Sequence, residues 1–338
     1  MKAVGYYKSL PITDSASLLD VELPDPQPAG RDLLVQVKAI SVNPVDTKLR
    51  KRITPPEGQV NVLGYDAAGV VVKTGPDAGL FKVGDAVWYS GQNNRPGSNA
   101  EFQLVDERIV GKKPAALSFP EAAALPLTGV TAWEMLFDRL SLRPETATTG
   151  ALLVIGGAGG VGSIMIQLAR QITGLTVIGT ASRPETQKWA REMGAHHVID
   201  HSRSLVEELK RIDIPQVPYI ASITQTSAHY KEIVEILAPQ GKLCLIDDPD
   251  PILDINLLKR KSATICWEFM FTRSAFQTPD IARQGEILNE ISRLVDAGKI
   301  RTTMKENYGA VNASNLKRAH AALESGTVIG KIVLEWSK

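Results

Sequence analysis

The stretch that most constrains the fold of this chain runs from Leu152 to Arg170 and reads LLVIGGAGGVGSIMIQLAR. Gly157, Gly159 and Gly162 form a GxGxxG pattern between an apolar run and a segment with apolar residues at helical spacing. Glycines at these positions permit a tight turn, so that the N-terminus of the following helix can present N–H groups to a pyrophosphate. The pattern predicts a dinucleotide-binding loop, and a purely structural glycine turn is the alternative.

Apolar strands and amphipathic helices alternate through the second half of the chain, after Pro126. Pro184 suits the first turn of one of these helices and Gly194 suits its end. Such alternation predicts an α/β fold with a doubly wound parallel sheet. The strand candidates are Leu152–Ile155, Leu175–Gly179, His197–Asp200, Val217–Ser222, Lys242–Ile246 and Ala263–Glu268.

The first part of the chain has a different texture. Up to about Glu121, β-rich runs such as DLLVQVKAI, AAGVVVKTG, VGDAVWYSG and AEFQLVD are separated by Gly, Pro and Asp turns. This pattern predicts an all-β, barrel-like domain, and VIGKIVLEW near the C-terminus returns to strand character. We place this domain at residues 1–123 and 300–338, with a nucleotide-binding domain at residues 124–299.

Composition excludes several kinds of partner. The 338 residues carry a formal net charge of +1, with 43% hydrophobic and 22% charged residues, so no basic field for nucleic acid is expected. Neither a signal peptide in MKAVGYYKSL nor an uncharged membrane-spanning run is evident. The two cysteines, Cys244 and Cys266, lie in apolar strand-like runs and predict buried thiols rather than a disulfide framework. We expect a cytoplasmic protein with a small-molecule partner and no membrane.

The segment after the second strand candidate bears on the choice of dinucleotide. A site for NAD usually places Asp or Glu about 20 residues beyond the glycines, but this chain has Gly179-Thr180-Ala181-Ser182-Arg183. Ser182 can donate a hydrogen bond and Arg183 a charge-assisted one to a 2′-phosphate. The segment favours NADPH, and the alternative is that Arg183 is a solvated loop residue.

Several separated motifs occur in an order typical of one family. They are AISVNPVDTKLR, VLGYDAAGVV, VGDAVW, LPLTGVTAWEML, GGAGGVG, TASRPE, GAHHVIDH, RSAFQTPD and VIGKIVL. On these motifs the chain resembles the medium-chain dehydrogenase/reductase superfamily, in its quinone oxidoreductase branch, and most closely the zinc-type alcohol dehydrogenase-like proteins that lack zinc-site residues. The resemblance implies a Rossmann domain and a GroES-like β-barrel catalytic domain.

The sequence departs from the zinc-dependent members where their ligands lie. Those members carry a cysteine in the first motif and Gly-His-Glu in the second, whereas this chain has Asn43-Pro44-Val45-Asp46 and Gly64-Tyr65-Asp66. No cysteine or histidine precedes His196, and the four-cysteine structural zinc lobe is missing. Two carboxylates make a poor zinc site. We expect no metal, with Tyr65 shaping the pocket and Asp66 in a hydrogen-bonded structural role.

The resemblance implies hydride transfer from NADPH to a quinone or to the β-carbon of an enone, acceptors that need no Lewis acid. Asn43 matches an asparagine that lines the site, although an Asn at this position could instead cap the turn before Pro44. Lys48 could stabilise an enolate or be a surface lysine. With Tyr65, these are the candidate catalytic residues.

The resemblance also implies a set of cofactor contacts. Thr128, Phe269 and Phe271 match positions near the nicotinamide, and His201 matches one near the adenosine phosphate. For the two phenylalanines core packing is the alternative, and for His201 a plain loop residue. The full set is Thr128, Gly157, Gly159, Gly160, Val161, Gly162, Ser182, Arg183, His201, Phe269, Phe271, Gly330 and Lys331.

The last strand candidate of the α/β domain, in SATICWEFMF, is apolar. If it were unpaired, it would leave an exposed apolar sheet edge that tends to associate with other chains. Continuation of the sheet into a second subunit would cover it, so we expect a homodimer. Two other functions remain open: a zinc-dependent alcohol or aldehyde dehydrogenase, which a chelator would inactivate, and a non-catalytic NADPH-binding sensor, which would turn over no acceptor.

Overall fold

The computed structural model describes residues 1–142 and 149–336. Residues 143–148 of the predicted nucleotide-binding domain and residues 337 and 338 of the predicted β domain lie outside the described residues. The chain divides into two compact units. The first contains Met1–Val130 and Phe271–Lys338, and the second contains Thr131–Met270.

The N-terminal segment of the first unit is mostly β-strand, as its sequence predicts. Its strands are β1 (Lys2–Tyr6), β2 (Leu19–Glu22), β3 (Asp32–Ser41), β4 (Asn61–Val62), β5 (Ala67–Thr74), β6 (Ala86–Tyr89), β7 (Phe102–Asp106) and β8 (Gly111–Lys112). Its helices are α1 (Pro44–Arg52), α2 (Phe119–Ala123) and the start of α3 (Pro126–Trp133).

The second unit alternates strand and helix. Its elements are β9 (Ala151–Ile155), α4 (Gly160–Ile172), β10 (Thr176–Thr180), α5 (Pro184–Glu192), β11 (His197–Ile199), α6 (Leu205–Arg211), β12 (Val217–Ser222), α7 (Thr226–Ile236), β13 (Leu237–Leu245) and β14 (Thr264–Trp267). The strands form a six-stranded sheet in the order β11-β10-β9-β12-β13-β14, and every pairing is parallel. The predicted doubly wound sheet is confirmed.

The first and last residues of helix α5 in the second unit also agree with the sequence-based prediction. Pro184 is the first residue of α5, and Gly194, two residues beyond its end, has a φ of +106° that a side chain would strain. On α4, Ile164 and Leu168 are fully buried. The central strand β9 is buried on both faces, as expected of a parallel sheet covered by helices, and Leu153 has no exposed surface.

The C-terminal segment returns to the first unit. Its elements are α8 (Thr272–Phe276), α9 (Arg283–Asp296), β15 (Met304–Ala310), α10 (Ala313–Glu324) and β16 (Lys331–Glu335). Strand β16 pairs antiparallel with β3, in the sheet order β15-β16-β3-β5-β6-β8, and β7 also pairs with β3. A separate small sheet has the order β2-β1-β4. The pairing of β16 with β3 places Val333 opposite Ser41, close to the end of β3.

Helix α9 lies with the first unit, whereas the sequence-based boundary at residue 299 grouped it with the nucleotide-binding half. Gln284 donates to the Ser90 hydroxyl at 3.0 Å, and the Lys112 backbone N–H donates to Asn289 Oδ1 at 2.9 Å. These bonds hold α9 against the β-rich part of the first unit. None of the helices within residues 1–142 and 149–336 has the length and apolar character needed to cross a membrane.

His320 on α10 is a buried titratable group in the first unit. Its ring has no exposed surface, and neither ring nitrogen has a hydrogen-bond partner among the described residues. Burial, together with the positive charges of Arg50 and Lys51, lowers the pKa of His320 to about 3. Arg50 is itself buried and bonds the Glu324 carboxylate and the Leu10 carbonyl. His320 is therefore neutral in the folded protein.

The stability of the protein should fall as the pH drops from 6.5 toward 3, because the unfolded chain binds a proton on His320 that the folded state excludes until about pH 3. His320→Met should reduce this loss. Urea unfolding at pH 8 and pH 5 measures the effect. His197→Gln on β11, a partly exposed position, should keep the wild-type pH dependence, and equal pH dependence in both variants would contradict the assignment.

Candidate active site

A buried polar cluster in the first unit is centred on Asp66, the residue before β5. Asp66 has no exposed surface, and its Oδ1 accepts the backbone N–H of Leu127 at 2.7 Å. Its Oδ2 accepts the Ser41 hydroxyl at 2.7 Å, the Asn43 amide at 2.7 Å and the Lys331 ammonium at 3.1 Å. Four donors therefore satisfy one buried carboxylate.

Lys331, the first residue of β16, supplies the positive charge of this cluster. Its side chain is almost fully buried, and Nζ donates to the Val42 carbonyl at 2.8 Å, to Asn43 Oδ1 at 2.5 Å and to Asp66. Burial lowers the pKa of Lys331, and the Asp66 carboxylate opposes that shift. Three acceptors match the three N–H bonds of an ammonium group, so the charged form is fully hydrogen-bonded.

Asn43 joins both charged groups of the cluster. It lies at the end of β3 in extended conformation, as expected before a proline, and Pro44 then begins α1. Its side chain makes no hydrogen bond to the helix N-terminus. Instead, Nδ2 donates to Asp66 and Oδ1 accepts from Lys331. Asn43 is also the N-cap residue of α1, where the Asp46 carboxylate accepts its backbone N–H, so the side chain is left to bond the two charged groups.

Asp46 lies beside this cluster and connects two of the predicted motifs. Its carboxylate accepts the backbone N–H of Asn43 at 2.7 Å and that of Gly64 at 3.0 Å. Burial raises the pKa of Asp46 to about 7, with the nearby Asp66 charge acting in the same direction. Gly64 has a φ of +111°, and a Cβ there would lie 2.8 Å from the Asn99 nitrogen. Only glycine fits this turn without strain.

Tyr65 lies between Gly64 and Asp66 and packs on Phe271 at a ring-centroid distance of 5.3 Å, edge to face. Both rings are buried. Burial raises the pKa of Tyr65, so its hydroxyl is protonated at neutral pH. Tyr65 also lines a cavity of about 640 Å³ in the first unit, together with Asn93, Phe102 and Gln103. The predicted pocket-shaping role of Tyr65 is compatible with this position.

The residues of the cluster do not fit a catalytic zinc ion. Zinc sites in proteins combine Cys, His and carboxylate ligands, and Asp46 and Asp66 are the only such side chains in the 43–46 and 64–66 motifs. The Asp66 carboxylate is already saturated, and the Lys331 ammonium beside it would repel a second cation. Within the described ranges, no group of three or more His, Cys, Asp or Glu side chains is placed to hold a metal ion.

The glycine loop of the second unit connects β9 to α4 and is anchored to β10. The N–H of Gly156 donates to Thr180 Oγ1 and that of Gly157 to the Thr180 carbonyl, both at 3.1 Å. A Cβ on Gly162 would lie 2.2 Å from the Gly156 carbonyl oxygen, so a side chain there would displace the loop. This close packing of helix on loop explains the predicted third glycine of the pattern.

The space in front of α4 suits an anion. Gly159 precedes the first helical residue without capping it through a side chain, and a Cβ there would meet only the Gly156 carbonyl oxygen, at 3.7 Å. Gly159, Gly160 and Val161 are partly exposed. The first N–H groups of a helix carry a partial positive charge. The loop therefore fits the pyrophosphate of a dinucleotide.

Ser182 and Arg183 follow β10 and are partly exposed, and Arg183 Nε lies 3.3 Å from Glu185 Oε1. This ion pair is exposed to solvent and weak, so it does not prevent Arg183 from binding a phosphate. His201 follows β11, which is next to β10 in the sheet. Burial and the neighbouring His229, whose ring centroid is 6.1 Å away, lower the pKa of His201. The carboxyl ends of β9, β10 and β11 thus bring the glycine loop, Ser182, Arg183 and His201 to one edge.

Four other predicted residues lie outside these two groups. Thr128 on α3 is buried and its hydroxyl donates to the Leu125 carbonyl at 3.2 Å. Lys48 is half-buried on α1, and Gly330 has a φ of +56° before β16. Phe269, which follows β14 in the second unit, has 49% of its surface exposed. Their roles at the cofactor or substrate stay predictions.

The sequence alone does not identify Ser41 and Asp46 as members of the polar cluster. Both lie in the motif that contains Asn43. Ser41 and Asn43 are two residues apart at the end of an apolar strand, so their side chains leave the strand on the same side. This spacing was a usable signal. No sequence feature indicates that the Leu127 backbone N–H donates to Asp66, because this hydrogen bond depends on where α3 begins.

A nucleotide-binding parallel sheet and a β-rich unit with a buried polar cluster define a dehydrogenase or reductase of the pyridine-nucleotide-dependent class. Residues 29–115 match the family model of the alcohol dehydrogenase GroES-like domain, and residues 193–334 match that of the zinc-binding dehydrogenases. The chain belongs to the medium-chain dehydrogenase/reductase superfamily, and it is an oxidoreductase of that family.

Three relatives illustrate the range of the similarity. A zinc-type alcohol dehydrogenase-like protein of Staphylococcus aureus is 42% identical over 337 residues, covering 99% of both chains. A Rhizobium etli protein of the zinc-dependent alcohol dehydrogenase type, known from its crystal structure, is 57% identical to this chain in sequence. The two structures superimpose with a TM-score of 0.95, and the match covers 100% of this chain and 98% of that one. Escherichia coli quinone oxidoreductase, whose crystal structure contains NADPH, is 25% identical to this chain and superimposes with a TM-score of 0.82. The match covers 99% of this chain and 100% of that one.

Removing the Lys331 charge should destabilise the protein strongly, because it leaves the Asp66 carboxylate buried without its ion-pair partner. Lys331→Met should lower the free energy of unfolding by about 3–5 kcal/mol, the usual cost of breaking a buried pair. Urea unfolding measures it. Lys112→Met, at an exposed lysine, should change stability by less than about 0.5 kcal/mol. A similarly small change in Lys331→Met would show that the pair contributes little.

Proposed function

We propose that this protein is an NADPH-dependent oxidoreductase that transfers hydride, without a metal, to a quinone or an α,β-unsaturated carbonyl compound. The observation that carries the proposal is the cluster of Asp66, Lys331 and Asn43. Asn43 and Asp66 lie in the motifs where zinc-dependent relatives have their ligands, and the ammonium of Lys331, from β16, supplies the positive charge. A simple alcohol or aldehyde requires a Lewis acid there, whereas a quinone or enone is already electrophilic.

The cofactor assignment rests on the second unit. Bound NADPH would supply the hydride. The backbone of Gly157, Gly159, Gly160, Val161 and Gly162 would bind its pyrophosphate, and Ser182 and Arg183 its 2′-phosphate. No carboxylate lies in the segment from Gly179 to Arg183 to repel that phosphate. We retain His201 as a contact of the adenosine end and Thr128, Phe269, Phe271, Gly330 and Lys331 as contacts of the nicotinamide end.

Asn43 is the proposed hydrogen-bond donor to the oxygen of the quinone or enone. Its amide has two N–H bonds, of which Asp66 accepts one, and the described residues offer no acceptor for the other. Lys331, bonded to the carbonyl side of the same amide, polarises it and strengthens its donor side. An amide N–H held in this way stabilises the negative charge that develops on a quinone or enone oxygen. Tyr65 shapes the wall of the cavity, and Lys48 is the second candidate for stabilising an enolate.

Turnover with defined acceptors tests the reaction. NADPH oxidation by the purified protein should proceed with a quinone or an enone, should be negligible with a simple aldehyde, and should be unchanged by a chelator. A preference for the aldehyde that disappears on chelation would instead establish a zinc-dependent alcohol or aldehyde dehydrogenase. Binding of NADPH without turnover of any acceptor would leave the protein as a sensor.

The preference for NADPH should depend on Arg183. Arg183→Gln should raise KM for NADPH about 10- to 100-fold, the loss expected for one or two charge-assisted hydrogen bonds, and leave KM for NADH unchanged. Lys188→Gln on α5, the helix that begins directly after Arg183, changes a lysine whose side chain is 79% exposed; it is the matched control and should behave as wild type. Equal effects of Arg183→Gln on the two cofactors would exclude recognition of the 2′-phosphate by this residue.

We also propose a homodimer formed through β14. This strand is at the edge of the parallel sheet, and two exposed aromatic side chains, Trp267 and Phe269, lie at its end. Pairing with the same strand of a second chain would cover the edge and these rings. Sedimentation equilibrium should give twice the mass of one chain, and Trp267→Glu should shift the equilibrium toward monomer. A wild-type monomer at micromolar concentration would refute this assembly.

A further inference from the structure

The two cysteines of the chain lie side by side in the second unit. Strands β13 and β14 are parallel neighbours, and their register places Cys244 opposite Cys266. Residues paired in this way project from the same face of a sheet with strands about 4.8 Å apart. That spacing falls within the Cα separation of about 4.4–6.8 Å that a disulfide spans. Both thiols are free, and Cys266 Sγ donates to the Leu243 carbonyl at 3.5 Å, one residue before Cys244.

The two thiols have different surroundings. Cys244 has no exposed surface, whereas Cys266 on the edge strand is partly exposed. The neighbouring Cys244 thiol lowers the pKa of Cys266, and the positive charges of Lys242 and Arg139 act in the same direction against burial. The neighbouring Cys266 thiol, burial and the Glu268 charge raise the pKa of Cys244. Cys266 is therefore the thiol that ionises, and Cys244 is its proton-bearing partner.

The positive charges are held in place by bonds within the second unit. Lys242 Nζ donates to the Leu140 carbonyl at 3.0 Å, and Arg139 Nε lies 2.8 Å from the buried Glu268 carboxylate. Lys242 is also on β13, two residues before Cys244. A thiolate that is partly exposed, close to fixed positive charges and next to a second thiol has the surroundings of a redox-sensitive cysteine.

We propose that Cys266 and Cys244 form a reversible dithiol–disulfide pair that is oxidised by hydroperoxides. The Cys266 thiolate attacks one peroxide oxygen, so that an S–O bond forms, the O–O bond breaks, and an alkoxide or hydroxide leaves and takes a proton from water. The sulfur is oxidised to a sulfenic acid while the peroxide is reduced. The Cys244 sulfur then attacks Cys266, the S–S bond forms, and its thiol proton leaves with the hydroxide as water. A dithiol reductant restores both thiols.

The disulfide would join the edge strand covalently to its neighbour. Strand β14 ends at Trp267, and the next residues are Glu268, which pairs with Arg139, and Phe269, a predicted cofactor contact. Oxidation would therefore act on the segment that leads from the sheet edge to that contact. The pair itself does not depend on the reaction that the protein catalyses, so its test is separate from that of the proposed function.

The test uses the full-length, purified and reduced chain, treated with hydrogen peroxide and then with an alkylating agent. Mass spectrometry of the digest should show one cross-linked peptide pair containing Cys244 and Cys266, lighter than the reduced pair by two hydrogen atoms. Dithiothreitol should reverse it completely. Non-reducing electrophoresis should show one chain, and a cross-link between chains would overturn the intramolecular pair. Reaction of the thiols only after unfolding would overturn the proposal as a whole.

Single variants assign the roles. Cys244→Ser should leave a sulfenic acid on Cys266 that dimedone traps, whereas Cys266→Ser should leave Cys244 unmodified. Equal labelling of the two variants would overturn the assignment. Lys242→Gln should slow peroxide reaction at neutral pH about tenfold for each unit by which it raises the pKa of Cys266, and Lys242→Arg should restore the rate. Lys259→Gln, at an exposed lysine, is the matched control and should react as wild type.

Discussion

The buried pair of Asp66 and Lys331 is the interaction on which the arrangement of the first unit depends. Neither charge is stable alone in the interior, so each requires the other and a full set of hydrogen bonds. Those bonds come from the end of β3, the start of β16 and the start of α3, which are distant in sequence. The pair therefore joins the N-terminal and C-terminal segments of the unit and determines the orientation of the Asn43 amide.

The same pair is the basis of the chemistry that we propose for the protein. An ammonium is a fixed charge with three directed N–H bonds, and here all three end on oxygen atoms of the protein. It cannot accept a substrate oxygen as a fourth ligand in the way that zinc does. In the proposed reaction, the polarity of the cluster would reach a substrate through Asn43, an arrangement suited to acceptors that already delocalise negative charge.

Much of the fold was predictable, because the hydrophobic periodicity and the Pro and Gly residues at helix ends are local properties of the sequence. The six strand candidates of the α/β half, the helix between Pro184 and Gly194, and the β-rich N-terminal part all correspond to observed elements. The placement of α9 was not predictable in this way. Its amphipathic pattern specifies that one face is buried, but the bonds of Gln284 and Asn289 with the β-rich unit decide which surface covers that face.

The sequence by itself determined the phosphate-binding loop, the absence of zinc ligands from the two motifs and the lack of a carboxylate after β10, because these depend on residue type and short spacing. Only the tertiary structure decided that Lys331 neutralises Asp66, that the Asn43 side chain bonds both, and that Cys244 is paired with Cys266. The partners in these contacts are between 22 and 288 residues apart. These contacts depend on the register between paired strands and on the C-terminal segment pairing with the N-terminal sheet, and no local sequence pattern specifies either.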